Sequence, residues 1–187
     1  MGAGTGTHRS QDRFLRTVAG YGTKTGPCIA NEVAETTGKQ KCVMRASENN
    51  KLMQHIFSEL SIGNSRPFAE SMADDFSWTI TGTTQWSKRY EGKRAVADEL
   101  FGALRTKLVP PIVVEAHRFI ADEDYVVVEA RGRNTTKDGV PYNNTYCYVF
   151  RLADGKLQEM TEYLDTELVT AALGDPVTKS STNTVLL

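Results

Sequence analysis

The sequence predicts an α+β domain in which a curved antiparallel sheet packs on three N-terminal helices and closes them into a cone. Three observations predict it. Apolar residues recur at helical spacing in the first half of the periodic region, they alternate with polar ones in the second half, and short Gly and Asp turns punctuate that second half. Helices followed by a meander of strands pack on one face of the sheet, and the open end of such a cone is a natural pocket.

With 187 residues, 40% of them hydrophobic, the chain can build one ordinary core and hardly two. Residues 1–45 are Gly and Thr rich without useful periodicity, and are expected to form a flexible extension. The domain is expected over residues 46–174 and a polar tail over 175–187. Because the periodic pattern begins just after Met44, the functional polypeptide is expected to start there.

Ser47, in a capping position, precedes Leu52, Met53, Ile56, Phe57 and Leu60, a helical stripe ended by Gly63. Pro67 opens a short second helix through Phe68 and Met72. Phe76, Trp78 and Ile80 alternate with polar residues as a strand. Ala95, Val96, Leu100, Leu104 and Leu108 make a third helix, stopped by Pro110 and Pro111. Runs from Ile112 to Ile120 and from Tyr125 to Arg131 form a hairpin around an acidic turn. Lys137 to Gly139 turn the chain into a strand from Tyr142 to Leu152. Ala153 to Gly155 turn it again into a last strand from Lys156 to Leu164, after which Asp165 or Thr166 caps a closing helix ended by Gly174.

Composition narrows the function. Lys plus Arg number 22 against 23 Asp plus Glu, so no basic field exists to collect a phosphate backbone, and nucleic acid is not expected as a partner. No apolar run is long enough to cross a bilayer and no apolar leader opens the chain, which predicts a cytoplasmic protein without membrane contact. Cys28, Cys42 and Cys147 are scattered and expected to be reduced. The Asn134 and Asn143 sequons matter only in a secreted protein, which is not expected here, and carry no weight. The Gly2, Gly4, Gly6 spacing lacks the strand and the further glycine of a dinucleotide site. His117 has no companion at ligand spacing. Neither a cofactor nor a metal is expected.

Two segments are more specific. "YNNTYCYVFRLADGKLQEMTEYLDTELV" resembles the C-terminal half of SnoaL-like, ketosteroid-isomerase-related proteins, and "FSWTITGTTQWSKRYEGKRAVADELFGAL" resembles their first strand, Gly-containing loop and pocket helix. Together they span about residues 44–174. The resemblance implies the nuclear transport factor two-like fold, and a homodimer through the outer face of the sheet. It implies function less strongly, because that fold hosts isomerases, dehydratases, epoxide hydrolases, cyclases and non-catalytic binding domains.

Strand alternation places Glu129 and Arg131 on one face. If that face looks into the cone, they meet Glu162 from the last strand, and two carboxylates around one guanidinium are tuned apart into an acid and a base. Glu162, Glu129 and Arg131 are therefore the candidate catalytic residues. Limonene-epoxide hydrolases, which share the fold, resemble this scheme with an Arg and an Asp two residues apart and an acid just before a Tyr. Glu162 matches that last acid, whereas Glu129 and Arg131 stand in the reverse order. The alternative is a surface ion-pair ladder or a dimer contact. Asn144 and Tyr146 share a face with Tyr148 and Phe150 and could orient a substrate oxygen, or simply pack. Trp78, Tyr90 and His117 complete the candidate substrate-binding set, His117 as a base by its native pKa and Trp78 with a competing role in the core. The function expected is cofactor-independent acid/base chemistry on a small, mostly apolar, oxygenated molecule; the alternative is a non-catalytic ligand-binding or dimerisation domain.

Overall fold

The structure, a computed structural model, describes residues 30–176, with side chains from residue 45 onward. The chain divides into a unit of residues 1–36, whose only described part is the start of the first helix, and a unit of residues 37–187 that holds everything below.

Helix α1 runs Ala30–Ser61 and α2 runs Arg66–Ser71. The first helix is thus longer than its apolar stripe predicts: Ser47 lies inside it rather than capping it. The predicted face is right, since Met53, Ile56 and Phe57 are buried. The rest of the expected N-terminal extension, the Gly2 to Gly6 spacing and most of the C-terminal tail lie outside the described residues. At the end of α1, Gly63 has a φ of 80°, and a Cβ there would sit 2.5 Å from Pro111, so the chain turns where only glycine fits. Pro67 occupies the first turn of α2, where its missing N–H costs nothing.

Strand β1 (Met72–Ile80) leads through a loop to a short β2 (Arg89–Glu91) and then to α3, residues 93–107. This third helix is α-helical over Lys93–Ala95 and Phe101–Lys107, with a π-helical turn at Val96–Leu100 between. The hairpin of β3 (Val114–Asp122) and β4 (Tyr125–Gly132) follows as predicted. A two-residue pair, β5 (Asn134–Thr135) and β6 (Pro141–Tyr142), brackets the turn at Gly139. β7 (Thr145–Ala153) and β8 (Lys156–Leu164) form the last hairpin, and α4 (Thr166–Leu173) closes the fold. Asp165 caps α4: one of its carboxylate oxygens accepts from the backbone N–H of Glu167 and of Leu168.

The sheet order is β2-β1-β8-β7-β4-β3. Neighbours are antiparallel except β1 and β8, which run parallel, so the sheet is not wholly antiparallel as the sequence suggested. The difference arises because the last hairpin lays β8 between β7 and β1, running in the direction of β1. Alternation is strict through the middle. Val126, Val128 and Ala130 of β4, Tyr146, Tyr148 and Phe150 of β7, and Met160 and Glu162 of β8 all face the helices. Among the described residues, no helix is long and apolar enough to cross a membrane.

Candidate functional site

Helices and sheet do not fill the space between them. A cavity of about 400 Å³ remains, walled by α1, α3, α4 and the inner faces of β1, β7 and β8. Its lining is almost wholly apolar, with Phe57, Phe68, Phe101, Leu104, Met160 and Val169 among the walls. A volume of this order suits a small organic molecule.

The polar groups on the wall are few and come mainly from two strands. Glu162 sits on β8, opposite Tyr148 of β7 on one side and Ile80 of β1 on the other. Its carbonyl oxygen accepts from both the N–H and the hydroxyl of Thr81, at 3.0 and 2.9 Å, which fixes the backbone from which the side chain projects inward. The carboxyl is buried, and its Oε2 accepts from the indole Nε1–H of Trp78 at 2.8 Å. Among the described residues no other hydrogen bond reaches this carboxylate, yet no sealed side-chain oxygen lacks a partner. The free oxygen therefore opens onto the cavity. Burial raises its pKa to about 7 from an ordinary 4.5, against the smaller, opposing effect of the indole hydrogen bond.

Three phenols stand beside it. Tyr146 and Tyr148 stack with ring centroids 5.1 Å apart, and Tyr142 at the end of β6 adds a third hydroxyl to the lining. Burial first, and the nearby Glu162 charge as well, hold all three well above the usual phenol value, Tyr142 at about 12. All three are thus protonated donors at neutral pH. Trp78 lines the wall edge-on to Phe68 and Phe101, at 5.8 and 5.6 Å, so its core role and its site role coincide. Trp86 also lines the cavity, anchored by its indole N–H on the carbonyl of Gly174 at 2.7 Å.

Of the residues singled out from sequence, Glu162, Trp78 and Tyr146 come together here. Five do not. Glu129 and Arg131 lie on the opposite face of β4, where Glu129 meets Arg118 at 3.2 Å and His117 at 3.5 Å. The inward positions of β4 belong to Val126, Val128 and Ala130, so two catalytic candidates are surface residues. His117 falls at a bulge in β3 that turns its ring outward. Tyr90 is buried on β2, the edge strand, directly opposite Trp78 of β1, with its hydroxyl donating to the carbonyl of Trp86 at 3.3 Å; it does not line the cavity. Asn144 is buried on the correct face but spends its amide on the backbone. It accepts from the N–H of Asp165 and donates to the carbonyl of the same residue, both at 3.0 Å, and its amide also lies 3.5 Å from the Tyr142 hydroxyl. It positions Tyr142 and the start of α4 rather than a substrate.

Missed were Tyr142 as a site residue and Tyr148 as more than a packing ring. Both have the same strand parity as Tyr146, which was the available signal.

The sequence profile of the SnoaL-like domain family matches residues 53–160, more than half of the chain, and these include most of the walls just described. No curated protein matches the chain in sequence. Among solved structures, an NTF2-like protein of Burkholderia xenovorans LB400 is similar at 18% identity and a TM-score of 0.54, covering 68% of this chain and 97% of its own. A Jannaschia sp. CCS1 protein, provisionally assigned as a SnoaL-like polyketide cyclase, gives 21% identity and 0.57, over 71% and 96%. An LEH-like epoxide hydrolase of M. tuberculosis gives 20% and 0.54, over 68% and 90%. At these identities the likeness is one of fold, the nuclear transport factor two-like fold.

Proposed function

The chain belongs to the SnoaL-like domain family, and from that premise and the cavity we propose that it binds a small, mostly apolar, oxygenated molecule and moves a proton on it without a cofactor. The observation that carries this reading is a single carboxylate, Glu162, opening one unpartnered oxygen into an apolar cavity with a pKa near 7. A general acid or base works best when its pKa lies near the operating pH.

In this reading the ionised Glu162 takes a proton from a carbon next to a carbonyl. The enolate oxygen that forms accepts hydrogen bonds from the tyrosine phenols, which are held protonated by their burial. Glu162 then returns the proton to another carbon, which is isomerase chemistry; in a cyclase the enolate carbon instead bonds a second carbonyl carbon of the same molecule, and Glu162 gives the proton to the oxygen released from that double bond. Water activation of the epoxide-hydrolase kind has less support, because among the described residues Glu162 is the only carboxylate on the cavity wall.

Carbon-13 NMR of side-chain-labelled protein tests the acid/base role directly, combined with deuterium uptake at the α-carbon of enolisable ketones in heavy water. The expected result is a Glu162 midpoint near 7 and an exchange rate that falls to background in Glu162→Gln. An ordinary carboxylate titration without Glu162-dependent exchange would leave a binding domain and remove the enzyme.

A further inference from the structure

The cavity wall carries two charged side chains, and they differ in depth. Glu162 is buried, whereas Arg105, in the last turn of α3, lines the same cavity and is exposed to solvent. Arg105 therefore stands at the rim. Its guanidinium is tethered by one hydrogen bond, from Nη2 to the carbonyl of Ala97 at 3.2 Å. The acids nearest to it in sequence are engaged elsewhere: Asp98 pairs with Arg94, and Glu99 with Lys88. Among the described residues no carboxylate lies within ion-pair distance of Arg105. The remaining donors of the guanidinium are thus available to an anion arriving at the mouth.

We propose that the ligand carries a carboxylate, held at the rim by Arg105, and an apolar body that enters the cavity with an uncharged oxygen leading toward Glu162. The chemistry of the two ends fixes this orientation. A carboxylate carried inward would be desolvated among apolar walls and would face a second carboxylate, both of which are unfavourable. At the rim the same group stays partly hydrated and meets a planar cation that can bind it through two parallel hydrogen bonds. Apolar surface supplies the affinity and the charge at the mouth supplies the direction of entry. The outer half of this assignment stands on Arg105 alone; only the inner half rests on the acid/base reading of Glu162.

A matched pair of probes tests it: 1-naphthylacetate and its neutral isostere, 1-naphthylacetamide. Their binding is measured by calorimetry and by amide shifts of cavity residues at pH 7.5. The expected result is that the acid binds about tenfold more tightly than the amide, the scale of one charge-assisted contact at a solvated rim. Arg105→Ala should abolish that preference while leaving the amide affinity in place, and Arg105→Lys should retain part of it. Equal affinities in the unmodified protein, including no detectable binding of either probe, would overturn the proposal, as would a preference that survives Arg105→Ala. Titration of Glu162 in the same protein keeps the two readings apart. An ordinary titration of Glu162 would end the acid/base reading yet leave the acid-over-amide preference intact, and loss of the preference would do the reverse.

Discussion

At the scale of single residues, Glu162 links stability to pH in a direction opposite to that of most carboxylates. Its folded pKa is raised, so between about 4.5 and 7 the folded protein keeps a proton that the unfolded chain has released. Stability from this group is full below the unfolded value and is lost as pH rises through the folded one. Glu162→Gln removes the loss while keeping an oxygen for the Trp78 indole to donate to. Thermal denaturation should therefore show the variant more stable than the parent at pH 8, on the order of 3 kcal/mol, with the gap closing near pH 4. A variant less stable at both values would contradict this account of the carboxylate. Trp78→Phe takes away the one hydrogen bond that favours the ionised form, and the NMR midpoint of Glu162 should move further up. Gly132 gives a third test by sterics. A Cβ there would lie 3.0 Å from the Asn134 amide nitrogen, which the Val113 carbonyl holds, and 3.3 and 3.4 Å from the Tyr146 ring and hydroxyl, which stacking on Tyr148 holds in place. Gly132→Ala should cost about 1 kcal/mol in denaturant unfolding and shift the Tyr146 ring resonances.

At the scale of elements, the junction between β8 and α4 is set by two neighbouring devices of unequal weight. Asp165 caps α4 from an exposed position, and Asp165→Ala should cost about 1 kcal/mol. Asn144 is fully buried and clamps the Asp165 backbone from the residue before β7, so Asn144→Ala strips the Asp165 N–H of its partner and empties a buried site, while the Asp165 carbonyl keeps the N–H of Val169. Equilibrium unfolding should place its cost on the order of 2 to 3 kcal/mol, above that of the cap. The cap was legible in the sequence and the clamp was not, for a physical reason. Capping acts within one turn, so Asp165 followed by an apolar run announces it. The clamp joins residues 21 apart, and only the β7–β8 register brings them together. The same contrast holds for helix starts: the stripe of α1 revealed its buried face, but a polar stretch before the stripe says little about where helical hydrogen bonding begins.

At the scale of the whole molecule, the error over Glu129 and Arg131 concerns which face of the sheet is inside. Period-two alternation sorts residues into two sets without saying which set meets the helices. The composition of the sets did carry the answer: Val126, Val128 and Ala130 form a purely apolar set, while Val127, Glu129 and Arg131 do not. Moving those charges outward leaves Glu162 without its expected tuners, and burial does the tuning in their place. It also makes the outer face a mixed surface. Ile120, Val127 and Val149 pair in one row across β3, β4 and β7, and Ile120 is half exposed, as are Tyr125 and Tyr163 at the flanks. The Glu129, Arg118 and His117 group lies beside that row. We propose that a second copy packs there, its apolar row on the first and its charges at the edge of the contact. Light scattering should give twice the 20.7 kDa chain mass. Ile120→Lys puts a charge into the row without touching the cavity, and should return the monomer mass with unchanged circular dichroism. A parent protein that stays monomeric over the full accessible concentration range would show that the outer face is built for water.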